Sequence, residues 1–137
     1  MRLVSGSPLT ISSGVDNALS ATADQRANQV LASAYHPDKS VDRYLNPAAF
    51  AQPATGSYGT SGVNSIRGPG RMTIDMGLTR KFQVRENHSI EFRAEAFNVP
   101  NHLNPGNPTV TLNNSNFGRI QSAGDPRIMQ VALKYVF

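Results

Sequence analysis

The sequence has no cysteine. That excludes a disulfide framework and any thiolate metal site. It has no apolar run near the ~20 residues a membrane-crossing helix needs. A helical membrane protein is therefore excluded, but one that crosses with short alternating strands is not. No signal peptide opens the chain: Met1-Arg2-Leu3-Val4 leads straight into Ser5-Gly6-Ser7-Pro8. For an exported protein, Met1 is then expected not to be the natural beginning. Charged residues are sparse at 16% and hydrophobic ones stand at 39%. A compact soluble domain runs nearer about a quarter and about half. Ser, Thr, Asn, Gly and Pro fill the gap, which suits strands joined by long polar loops. The net charge of +4 comes from scattered residues that form no patch, so no nucleic-acid partner is expected.

What is present is alternation. From Arg127 to Phe137, every second residue back from the end is apolar or aromatic: Phe137, Tyr135, Leu133, Val131, Met129. The other set, Val136, Lys134, Ala132, Gln130 and Ile128, is mixed. A period of two marks a strand with one apolar face. Met72 to Val84 repeats the pattern: Met72, Ile74, Met76, Leu78, Phe82 and Val84 share a face, broken only by Arg80. Ser89 to Asn98 does so again, with Ile90, Phe92, Ala94 and Ala96 opposite Glu91, Arg93 and Glu95. These two strands predict a hairpin with Val84 facing Ile90, Phe82 facing Phe92, and Glu86-Asn87-His88 as its loop. Glu91, Arg93 and Glu95 have no nucleophile or histidine beside them in the pattern. No enzyme activity, cofactor or metal is expected.

Strands are thus expected at about 2–12, 72–84, 89–98 and 127–137, with connections at 13–70, 85–88 and 99–126. Pro8 demotes the first strand to an edge. The 13–70 stretch shows no lasting period, with a brief helix expected over Asn28–Tyr35 and a single turn at Pro47–Phe50 capped by Asn46. Tyr35-His36-Pro37-Asp38 resembles the His-Pro-Asp signature of J-domain co-chaperones. The flanking helices have no counterpart, so a solvated turn is expected.

The fold expected is all-β: an antiparallel meander of about four strands with long loops, the C-terminal part of a transmembrane β-barrel. Such barrels alternate long outer loops with short periplasmic turns and carry aromatic girdles at both interfaces. That places 13–70 and 99–126 outside and 85–88 in the periplasm. Phe82, Phe92, Tyr135 and Phe137 then form the periplasmic girdle. Arg80 should lie in the lower half of the wall and reach downward. In the outer loops, Tyr35, Tyr44, Phe50 and Tyr58 are the candidate ligand contacts.

Several motifs in order carry a resemblance. Asn64-Ser-Ile-Arg-Gly-Pro-Gly70 precedes a strand. Arg93-Ala-Glu-Ala-Phe-Asn98 is followed by Asn101-His102, then Ser115-Asn-Phe-Gly-Arg-Ile120 and Ala123-Gly-Asp-Pro-Arg127; Asn46-Pro-Ala-Ala-Phe50 lies in the long loop. These resemble the last barrel strands of TonB-dependent receptor-like proteins of the Oar-like kind. Pro100 stands where that family often has an aromatic. The resemblance implies an outer-membrane barrel, a plug domain and energy from TonB. Neither plug nor TonB box is present, so a fragment or truncated product is expected, one that meets TonB only through the missing plug. Its expected partners are outer-membrane lipid and the remaining strands and plug of the parent barrel. The row Met129, Val131, Leu133, Tyr135, Phe137 resembles the signal read by the barrel assembly machinery. The expected role is uptake. The alternatives are a non-transporting surface barrel for adhesion and a soluble all-β binding module.

Overall fold

The computed structural model describes residues 1–22 and 25–137. It is all-β, with no α-helix among the described residues. In chain order the strands are β1 (Arg2–Val4), β2 (Pro8–Leu9), β3 (Asn28–Gln29), β4 (Phe50–Ala51), β5 (Ile66–Arg67), β6 (Arg71–Thr73), β7 (Met76–Arg85), β8 (His88–Phe97) and β9 (Ile128–Val136). The chain forms two compact units. One comprises Met1–Val4, Arg71–Asn104 and Gly124–Phe137; the other comprises Ser5–Gly70 and Pro105–Ala123.

The first unit is built on an antiparallel sheet in the order β7-β8-β9, with β1 and β6 as a separate antiparallel pair. Its register sets four apolar rows across one face: Phe82–Ile90–Tyr135, Arg80–Phe92–Leu133, Leu78–Ala94–Val131 and Met76–Ala96–Met129. The opposite face carries Lys81–Glu91–Lys134 and Gly77–Glu95–Gln130. The hairpin differs from the expected one. Arg85 pairs with His88 around a turn at Glu86–Asn87, and a bulge at Val84 shifts the ladder, so Phe82 faces Ile90 and not Phe92. Neither turn residue has positive φ, so the turn is not the type whose twist matches two flanking strands. An extra residue at Val84 absorbs that mismatch.

The strand expected over 2–12 is two short ones. Ser5-Gly6-Ser7 interrupts it, and its halves pair with different partners, β6 and β5. A Cβ on Gly6 would stand 1.7 Å from the Gly68 carbonyl oxygen, a backbone approach only glycine permits. The strand expected over 72–84 is likewise divided into β6 and β7.

The second unit corrects the expectation of a structureless 13–70 loop. Ile11, Ala27, Leu45, Ala49, Phe50, Ile66 and Phe117 form a buried core there. The Phe50 and Phe117 rings meet edge to face at 5.7 Å, a geometry their quadrupoles favour. The helix expected over Asn28–Tyr35 is absent. β3 pairs with β4 there, setting Gln29 against Phe50, and tertiary burial overrides local propensity. The capped turn is present as a 3-10 turn at Pro47–Ala49, with Asn46 Oδ1 accepting the Ala48 N–H at 3.1 Å. Gly118, at φ +77°, lets its carbonyl accept both the Tyr44 and Leu45 N–H groups, at 3.0 and 3.2 Å. A Cβ there would lie 2.8 Å from the Leu45 carbonyl oxygen.

Candidate functional site

A sheet of a soluble protein turns its apolar face inward. Here that face is open: Leu78, Phe82, Val131, Leu133 and Tyr135 are all exposed, and Met129 and Leu133 each keep 72% of their surface. A continuous apolar sheet face of this size calls for an apolar solvent or partner. The ten-residue strands β7 and β8 match the ~9–11 residues that a tilted strand needs to cross a bilayer.

At the turn end, aromatic groups cluster. Tyr135 Oη lies 2.7 Å from His88 Nδ1, their rings stack at 5.8 Å, and Phe137 adjoins Tyr135 at 6.0 Å. Phe82 shares Tyr135's row through Ile90. Phe92 does not: it stands one row further from the turn, level with Arg80 and Leu133, because the turn is one residue shorter than expected and Val84 forms a bulge. His88, which the sequence reading left in the loop, takes part in the cluster. Arg80 sits mid-strand rather than in the lower half. Its guanidinium carbon lies 5.8 Å from the Phe82 ring centroid, so the side chain turns toward the Glu86–Asn87 end.

At the other end, the buried Asn98 ties two segments together. Its Nδ2 donates to the His102 carbonyl at 3.0 Å and to the Asp125 carbonyl at 3.2 Å, while its Oδ1 accepts the His102 N–H at 3.0 Å. Asn101 Oδ1 accepts the Arg127 N–H at 3.0 Å. Asn98 and Asn101 both have positive φ, which asparagine tolerates better than most residues. The motifs Arg93–Asn98, Asn101-His102 and Ala123–Arg127 are therefore one structural lock at the β8 and β9 ends. Their spacing in the sequence gave no hint of these bonds.

The four loop aromatics separate. Phe50, only 6% exposed, belongs to the core and has no surface to offer a ligand. Tyr35 and Tyr44 meet edge to face at 5.8 Å, and both hydroxyls donate to the Arg67 carbonyl, at 3.3 and 3.1 Å. Burial raises the Tyr44 phenol's pKa, and Tyr35 adds to the shift. Of the four, only Tyr58 is exposed, at 67%. His36-Pro37-Asp38 forms a turn in which Asp38 N–H donates to His36 Nδ1 at 3.3 Å, with Lys39 Nζ 4.5 Å from the Tyr35 ring centroid. Among the described residues, no group of histidines and carboxylates could hold a metal.

The sequence matches a family model described as an outer membrane beta barrel domain, over residues 1–130. The chain belongs to that family. Neither a search of curated proteins nor one of solved structures gave a match. Membership makes it a barrel-type protein of the outer membrane of a Gram-negative bacterium. A soluble binding module is set aside on the same ground.

Proposed function

We propose that this barrel protein contributes wall and outer loops to a TonB-dependent uptake receptor. The observation that carries the reading is the lock at Asn98 and Asn101. Three of the motifs that resemble the Oar-like receptors, Arg93–Asn98, Asn101-His102 and Ala123–Arg127, converge in space at the strand ends, as parts of one inherited device would. Three strands cannot close a barrel, for which about eight is the smallest number. The two free edges, at β7 and β9, are costly in lipid and take the remaining strands of the parent barrel. Its plug would receive TonB. The connections run long, short, long, so 13–70 and 99–126 lie outside and the Glu86–Asn87 turn in the periplasm. The segment performs no chemistry: it shapes a conduit and presents polar loops. The test is retention of TonB's periplasmic domain by the barrel purified from outer membranes in detergent. Retention supports uptake. No retention would favour the second reading, a non-transporting surface barrel for adhesion.

A further inference from the structure

β1 and β6 pair so that Arg2 faces Thr73 and Val4 faces Arg71. Side chains alternate across such a ladder. Arg2 and Arg71 therefore fall on one side, as diagonal neighbours about 7–8 Å apart. Both line a cavity of about 380 Å³, within the usual range for small-ligand sites. Val4, Phe97 and Ile128 supply its apolar lining. Among the described residues, neither guanidinium makes an ion pair or a side-chain hydrogen bond. The two carboxylates that also line the cavity, Asp75 and Asp125, stay beyond ion-pair reach of both, and Asp75 is engaged by the Asn98 N–H at 3.0 Å.

The wall beside Arg71 is shaped for it. A Cβ on Gly124 would stand 3.3 Å from Arg71 Nη2 and 3.4 Å from Asn104 Cβ, so the guanidinium rests beside bare backbone. Asn104, itself buried, fixes that wall against β6. Its Oδ1 accepts the Met72 N–H at 2.8 Å, and its carbonyl accepts the Gly124 N–H at 2.8 Å. Two unpaired guanidiniums on one side of a preorganised cavity leave their planar donor forks free. That geometry suits the paired oxygens of a carboxylate or a phosphate.

We propose that this cavity is a binding site for a small molecule that carries a carboxylate or phosphate beside an apolar group. The anion lies between Arg2 and Arg71, and the apolar part lies on Phe97, Ile128 and Val4. The proposal stands apart from the uptake reading, since an adhesive barrel could hold such a ligand equally well. Titration of the detergent-purified barrel with phenyl phosphate, benzoate and neutral benzyl alcohol tests it. At least one anion should bind tenfold or more tighter than the alcohol, and which of the two prevails identifies the anion class. R71Q and R2Q should each weaken that anion tenfold or more and leave the heat-modifiable folded band intact. G124V, which crowds Arg71 without altering charge, should weaken it as well. Equal binding of all three probes, or anion affinity unchanged in both R71Q and G124V, would overturn the proposal. If R71Q fails to fold, G124V and R2Q decide it.

Discussion

Replacing Arg80 by leucine should stabilise the barrel. Strand β7 has ten residues; at ~3.3 Å each and a tilt near 40° it rises about 25 Å, the height of the apolar band. Arg80 is mid-strand; with its row turned to lipid as proposed, its backbone would lie near the bilayer midplane, where an arginine costs about 2–4 kcal/mol. Its side chain does not stay at that level. The guanidinium leans toward Phe82, one row nearer the turn, and reaching toward an interface lowers the cost. The contact with the ring returns about 0.5–1 kcal/mol. Together these leave a net gain of roughly 1–2 kcal/mol for Arg80→Leu. The assay is urea unfolding of the barrel in lipid vesicles, followed by loss of the heat-modifiable band. The midpoint should move to higher urea. A shift to lower urea equivalent to ~1 kcal/mol or more would refute the reasoning. It would show that Arg80 has a polar partner in the assembled wall and that the even-numbered row does not face lipid.

Truncating Phe117 to alanine should cost the second unit about 3–5 kcal/mol, the usual price of an aromatic ring lost from a core, and, on the proposed topology, protease added to intact cells should then cut within 13–70 faster. Cysteines placed at the exposed Thr55 and Ser115 should react with a membrane-impermeant maleimide on intact cells, and one at Asn87 should not; labelling at Asn87 with protection at Thr55 would invert the topology. Asp16 accepts the Ser20 and Ala21 N–H groups at 2.9 and 2.7 Å, and the Ser20 bond leads the effects that hold its carboxyl below the ordinary 3.8. Because the folded pKa is the lower one, these bonds stabilise fully above that ordinary value and are lost as pH falls through the depressed one; amide protection at Ser20 and Ala21 should drop in that acid range, and Asp16→Asn should lower it at neutral pH and abolish the acid step. The His36-Pro37-Asp38 turn should leave the ATPase rate of an Hsp70 unchanged, and stimulation lost on His36→Gln would count against a purely structural turn.

The wall was legible in the sequence because its physics is one-dimensional. Period-two alternation in Met72–Val84, Ser89–Asn98 and Arg127–Phe137 is a local property, and it located β8, β9 and the end of β7 to within one residue, while running four residues past the start of β7 across the break into β6. The register was not legible. A turn one residue shorter than expected and one extra residue at Val84 together moved Phe92 away from Phe82, and nothing in the composition of the hairpin marks either. The second unit is not legible in the sequence for a different reason. Its core is assembled from apolar residues spread singly or in short groups between Ile11 and Phe117, so no window of the sequence shows a period. Phe50 was taken for a ligand contact because an aromatic in a polar loop looks idle until Phe117 is seen against it. The arginine pair was hidden likewise, since Arg2 and Arg71 meet only through the pairing of β1 with β6.

The packing of Phe117 and Gly118 among residues of the first long loop has an evolutionary consequence. The two long connections lie on either side of the β7–β8 hairpin in the sequence, yet they share a single interior. A recombination event that exchanged one loop and kept the other would leave Leu45 and Phe50 without their partners. Substitution should then be tolerated best at positions that face outward from that interior, such as the Ala54–Tyr58 tip, where a side chain added at Gly56 would meet nothing within 4 Å. Within this family, the 5–70 and 105–123 segments should be inherited as linked blocks, with variation concentrated at such tips.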